Sequence, residues 1–115
     1  MEHAARGARD GGGLTVGLLP GDDPNEANQY IDLSIATGLG QARNAALVRT
    51  ADGVVALGGG LGTLSEIALA LRTRRPTIGI RTWHFDRDGR TEPELPVAAN
   101  PKYALDWLFA QMGLS

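Results

Sequence analysis

Cysteine is absent from the sequence, which excludes disulfides, thiolate metal sites and a cysteine nucleophile. Lysine is nearly absent: Lys102 stands alone against ten arginines. A Schiff-base chemistry would have to use Lys102, near the start of the last predicted helix, so pyridoxal-phosphate catalysis is not expected. Long apolar runs are lacking, none approaching the roughly 18–20 residues of a spanning helix. The opening Met1-Glu2-His3 lacks a basic-then-apolar secretory pattern, so a cytoplasmic location without membrane association is the expectation. An excess of basic charge is lacking too. The net charge is -2, whereas a phosphate backbone demands a basic stripe, so the expected partner is a small molecule and not nucleic acid.

What is present is an ordinary globular composition, 43% hydrophobic and 21% charged over 115 residues, which suits one domain spanning 1–115. Metal ligation finds no spacing to support it. His3 and His84 stand far apart, Asp86-Arg87-Asp88-Gly89 lacks the remaining calcium-loop ligands, and Asp22, Asp23 and Glu26 read as a solvated acidic loop.

Along the chain, Glu2–Arg9 reads as a helix stopped by Gly11-Gly12-Gly13. Leu14–Leu19 reads as a buried strand closed by Pro20-Gly21, and 22–29 as a polar loop. Tyr30–Ile35 alternates as a half-wet strand does. A helix is expected over about Gln41–Ala51 with Ala42, Ala45, Ala46 and Arg49 at helical spacing, then a strand over 53–57. Next comes a helix with Leu64, Ile67, Ala68 and Leu71 as its core stripe. Pro76–Ile80 is a further strand, and 81–99 a long irregular connection with a tight turn at Asp88-Gly89. Asn100-Pro101 caps a final helix whose buried stripe is Leu105, Leu108, Phe109 and Met112, with Gly113 as its stop. Helices between successive apolar strands argue for an α/β fold, an open, mostly parallel sheet with helices on both faces.

Gly58-Gly59-Gly60-Leu61-Gly62-Thr63-Leu64-Ser65-Glu66 follows the apolar strand 53–57 and opens a helix. Glycines let the backbone approach a ligand closely, and helix-start amides favour an anion. Ligands in such folds sit at the carboxyl ends of strands. No Gly-Lys-Ser/Thr follows, so this is not a P-loop, and the third glycine of G-x-G-x-x-G is missing. Thr63-Leu64-Ser65-Glu66 also fits a capping box with Thr63 as the cap. Trp83 and Phe85 are read as core or interface aromatics, with stacking on a base or pterin as the other reading, and Asp52 as a helix terminator.

The run from Gly40-Gln41-Ala42-Arg43-Asn44 through Arg49–Glu66 resembles the superfamily of the LONELY GUY phosphoribohydrolases and the molybdenum cofactor carriers, whose members have been mistaken for lysine decarboxylases. Its signature is Pro/Gly-Gly-Gly-x-Gly-Thr-x-x-Glu after a helix bearing an essential arginine. Glu66 falls on the signature glutamate and Arg43 on that arginine. The carrier branch is the nearer likeness, through Leu18–Asn28 and Thr37–Asn44. The Met-His-Glu-Arg-Lys stretch of the hydrolases is here Leu-Gly-Gln-Ala-Arg-Asn.

The resemblance implies a Rossmann-like domain that binds a phosphate-bearing nucleotide or pterin, AMP-like or the molybdenum cofactor itself, with no other cofactor required. Gly58, Gly59, Gly60, Gly62 and Thr63 would hold the phosphate. The alternative it implies is a nucleoside 5′-monophosphate phosphoribohydrolase, with Arg43 and Glu66 catalytic, and it leaves open whether the chain is an enzyme. Family members begin with a strand, a helix and a strand before the segment equivalent to Met1–Ala8, so the sheet is expected to lack those elements. Apolar edges and a homo-oligomer are expected to follow.

Overall fold

A computed structural model describes residues 2–114. The chain divides into two compact units, one running up to Arg43 and one from Asn44 onward.

The first unit opens with helix α1 (Glu2–Asp10), which buries no residue and ends where Gly12 takes φ 86°, a value that glycine adopts without strain. Strands β1 (Val16–Leu19) and β2 (Leu33–Ala36) pair in parallel, Val16 opposite Leu33 and Leu19 opposite Ala36. The second strand starts later than its alternation predicts because Asp32 is engaged elsewhere. Its carboxylate Oδ2 accepts from the Thr15 amide at 2.9 Å and from the Thr15 hydroxyl at 3.0 Å, and its own amide donates to Thr15 Oγ1 at 2.8 Å. Arg9 Nε lies 3.5 Å from Oδ1. The Thr15 amide, then the Thr15 hydroxyl and more weakly Arg9 hold the Asp32 carboxyl below its ordinary pKa, against the smaller opposing effect of burial. Within the acidic loop, Asp23 caps a short 3-10 turn (Pro24–Glu26), accepting from the Asn25 amide at 2.9 Å. Val16, Leu33 and Ile35 keep 46, 51 and 42% of their surface exposed, so the β1–β2 pair presents apolar side chains to solvent.

The second unit is a β-α-β core closed by a further helix. Helix α2 (Arg43–Thr50) buries Asn44 and Val48, not the alanine stripe its spacing suggests. Strand β3 (Val54–Leu57), helix α3 (Leu61–Arg72) and strand β4 (Thr77–Ile80) follow, with β3 and β4 parallel and Leu57 opposite Ile80. Alternation along these strands sends side chains to two faces. Val55, Ile78 and Ile80 pack with Ala98, Ala104 and Trp107 on one face. Ala56 packs with Ile67, Leu71, Leu95, Trp83 and Phe85 on the other. Helix α4 (Pro101–Gln111) therefore covers one face and α3 the other. The parallel strands and two-sided helices expected from sequence are present, with the strands grouped as two parallel pairs.

Two stripes differ from expectation. On α3, Ala70 is fully buried and Ala68 is exposed. On α4, Ala104 and Leu108 are buried while Leu105 and Phe109 remain 44 and 42% exposed. The start of α4 is fixed by its cap, where Asn100 Oδ1 accepts from the Tyr103 amide at 2.8 Å. In the connection after β4, Pro96–Ala98 runs beside the sheet, with the Gly79 amide donating to Pro96 O and the Ala98 amide to Gly79 O, both at 2.8 Å. The turn expected at Asp88-Gly89 forms with φ 53° and 77° between bridged Arg87 and Arg90, as a two-residue hairpin turn requires.

Candidate functional site

The glycine loop occupies the carboxyl end of β3, and its three glycines serve different ends. Gly58 has φ 83°, a conformation that costs an L-residue about 1–2 kcal/mol. Gly59 and Gly60 lie outside that region, and a Cβ on either would meet no atom within 4 Å. Neither the backbone conformation nor the packing of this chain requires glycine at 59 or 60. Each projects instead onto open space in front of the loop.

Gly60 is the N-cap of α3 and provides no side-chain cap. Thr63 is therefore not the cap that the Thr-x-x-Glu pattern suggests. It lies within the first turn, its hydroxyl donating weakly to Leu57 O at 3.4 Å. The helix starts earlier because Gly60 already has the extended backbone of a cap, at φ -71° and ψ 162°. The first amide taken into the helical ladder is that of Leu64, which donates to Gly60 O at 3.1 Å. Among the described residues, the amides of Leu61, Gly62 and Thr63 make no hydrogen bond. Three unclaimed donors at the positive end of a 12-residue helix form an anion-binding geometry. Glu66, freed from a capping box, is half-buried on the same helix, and its carboxylate makes no hydrogen bond or ion pair among the described residues.

The strand register builds a second wall. Because Leu57 pairs with Ile80, the chain leaves β3 and β4 side by side, and the segment after β4 lies against the loop. Thr82 Oγ1 donates to Gly58 O, and Trp83 Nε1 donates to Gly60 O at 3.2 Å. With two carbonyls so occupied, the loop is fixed from the wall side. Gly59, Arg81, Thr82, Trp83 and His84 line a pocket of about 270 Å³. Trp83 packs in the α3-side core, as the first reading from sequence expects, and also lines the pocket; Phe85 packs in that core. Arg81 and Thr82 escaped the sequence analysis, and His84 enters there only as a candidate metal ligand. The signal that locates them is positional: they follow the strand beside β3, at its carboxyl end, where such sheets bind ligands.

Arg43 belongs to the first unit and is the first residue of α2. A cation there faces the positive end of the helix dipole, which is unfavourable without an anion nearby. Its Nε is buried and lacks a hydrogen-bond partner among the described residues, and such a donor is costly unless something supplies an acceptor. Among the described residues, no group of three or more His, Asp or Glu is placed to hold a metal ion. No helix among the described residues is long and apolar enough to cross a membrane.

Fold and loop together define the class, an α/β protein with an anion-receptive glycine loop at a strand's carboxyl end. The chain belongs to the SLOG cluster4 family, whose model matches residues 1–105. It is similar in structure to the molybdenum cofactor binding protein of Rippkaea orientalis, with a TM-score of 0.83 and 36% identity, over 97% of this chain and 71% of that one. It is likewise similar to the molybdenum cofactor carrier protein of Chlamydomonas reinhardtii, with a TM-score of 0.76 and 31% identity, over 100% of this chain and 71% of that one. An uncharacterized protein of Archaeoglobus fulgidus is 46% identical over 81 residues, 70% of this chain. The chain spans about half, 53%, of that relative's length. The carrier branch inferred from the sequence is thereby borne out, and with it the Rossmann-like fold.

Proposed function

We propose that this protein binds a phosphate-bearing pterin, the molybdenum cofactor, at the loop Gly58–Thr63, as a carrier and not as a catalyst. The observation that carries the reading is the open space in front of Gly59 and Gly60. Glycine is needed there only if something outside the chain approaches the backbone. The cofactor binding and carriage named for the Rippkaea and Chlamydomonas proteins supports the choice of ligand.

The residues present fit such a ligand. The unclaimed amides of Leu61, Gly62 and Thr63 would receive phosphate oxygens, with the α3 dipole adding to the attraction. Gly59 and Gly60 let that phosphate approach the backbone. Glu66, on the same helix as those amides, would accept from hydroxyl or amino groups of the ligand. When bound, the cofactor supplies molybdenum redox chemistry to whichever enzyme receives it. The chain's own part is to hold the ligand and shield it.

A thermal-shift titration of Gly59→Val against wild type tests this. A side chain at 59 enters empty space, so the unliganded melting temperature should stay within about 2 °C of wild type, while stabilisation by the phosphorylated pterin or by AMP is lost. A ligand present at 100 times its Kd stabilises by about 2.7 kcal/mol, a shift easily read. A valine variant that binds as wild type does would remove the loop from the site. Chromatography of the AMP sample separates a carrier, which releases no adenine, from a phosphoribohydrolase, which does.

A further inference from the structure

We propose that Arg81 is the anion-contacting side chain of the pocket beside the glycine loop, and that it selects a phosphate monoester over ligands lacking that group. This rests on the reading of the loop as the ligand site. Arg81 lines the pocket with Gly59, Thr82, Trp83 and His84, a set containing an arginine and a histidine but no carboxylate. Among the described residues its guanidinium makes no ion pair or hydrogen bond. Arg75 and Arg87, by contrast, are engaged within the chain, Arg75 donating to Arg49 O at 3.0 Å and Arg87 pairing with Glu92 at 3.0 Å, and none of Arg72, Arg74 and Arg90 lines the pocket.

The backbone at Arg81 has φ 48°, a left-handed conformation uncommon for any residue but glycine, asparagine or aspartate. A long cationic side chain is thus held in a strained position at the strand exit. The Thr82 and Trp83 bonds to Gly58 O and Gly60 O fix the residues immediately after it. A guanidinium presents a planar fork of donors that matches two phosphate oxygens at once. The dianion of a phosphate monoester is the ligand group that matches this fork, and the free amides at the start of α3 favour the same charge.

The test is isothermal titration of the full chain with AMP, inorganic phosphate and adenosine, in wild type, Arg81→Gly, Arg81→Lys and Gly59→Val. Glycine takes φ 48° without strain, so Arg81→Gly should keep or raise the melting temperature. It should weaken AMP and inorganic phosphate at least tenfold and flatten the dependence of AMP affinity on salt. Arg81→Lys should recover part of the affinity, and adenosine should bind all variants alike and weakly. AMP affinity within twofold of wild type in Arg81→Gly, while Gly59→Val abolishes it, would overturn the role of Arg81 and leave the loop reading standing. Wild type that binds neither AMP nor inorganic phosphate at millimolar concentration would overturn both.

Discussion

Substituting Gly79 by alanine should damage the loop from inside the core. Gly79 lies in the middle of β4, whose four residues are all buried. A Cβ there would stand 2.5 Å from Thr82 Cγ2 and 3.3 Å from Leu95 Cδ2, whereas carbon atoms rest at about 3.5–4.0 Å. The deficit of about 1 Å falls on Thr82, a β-branched side chain stiff at χ1 and tied through its hydroxyl to Gly58 O. Turning Thr82 away relieves the clash only by breaking that bond. Overpacking of this kind costs about 1–3 kcal/mol, or a fall of about 4–15 °C in melting temperature at this size. Urea denaturation gives the stability change as a shift in midpoint at constant slope. Thr82→Ser removes Cγ2 and keeps the hydroxyl, so the double variant should regain at least half of the loss, a coupling that a double-mutant cycle isolates. Gly79→Ala within 0.5 kcal/mol of wild type by the same measurement, or strict additivity with Thr82→Ser, would refute the reasoning.

Two further outcomes follow from other parts of the chain. Asp32 has a folded pKa below its unfolded value, so it contributes stability that is present above about pH 4 and lost as the pH falls through the folded pKa. Asp32→Asn should therefore be less stable than wild type at neutral pH, and the gap should narrow below about pH 4; a gap constant with pH in acid titrations of unfolding would contradict this. Asn100→Ala removes the cap on the Tyr103 amide and should cost about 0.5–2 kcal/mol in chemical denaturation; an unchanged midpoint would show the cap to be idle.

Much of this architecture is legible in the sequence because the signals are local. Pro101 after Asn100, Gly113 after the last helix and Asp88-Gly89 each act within a few residues, and each acts as read. The glycine loop is legible for the same reason. What escaped depends on distance in space. Thr15 and Asp32 are 17 residues apart, and their mutual bonds displace the start of β2. The stripes of α3 and α4 turn out differently because fully buried Ala70 and Ala104 sit against the sheet while larger neighbours face outward, a choice made by inter-element spacing and not by hydrophobicity. Thr63 satisfies a capping pattern that Gly60 pre-empts by backbone shape. Arg81, Thr82 and His84 carry no motif at all; only the pairing of Leu57 with Ile80 brings them to the loop.

That pairing also limits where the chain can change length. Deleting one residue within β3 would exchange the sides to which Val55 and Ala56 point, and one within β4 would do the same to its own side chains, mixing the contents of two differently shaped core layers. It would also move one strand exit past the other by about 3.3 Å, the rise of a parallel strand. Insertions beyond Ile80 disturb neither layer, provided they leave Arg81–His84 beside the loop, Phe85 in the core and Leu95–Ala98 beside the sheet. The stretch from Asp86 to Glu94, with its hairpin at 87–90, is therefore the part of this unit in which a lineage can add or remove residues without touching loop or core.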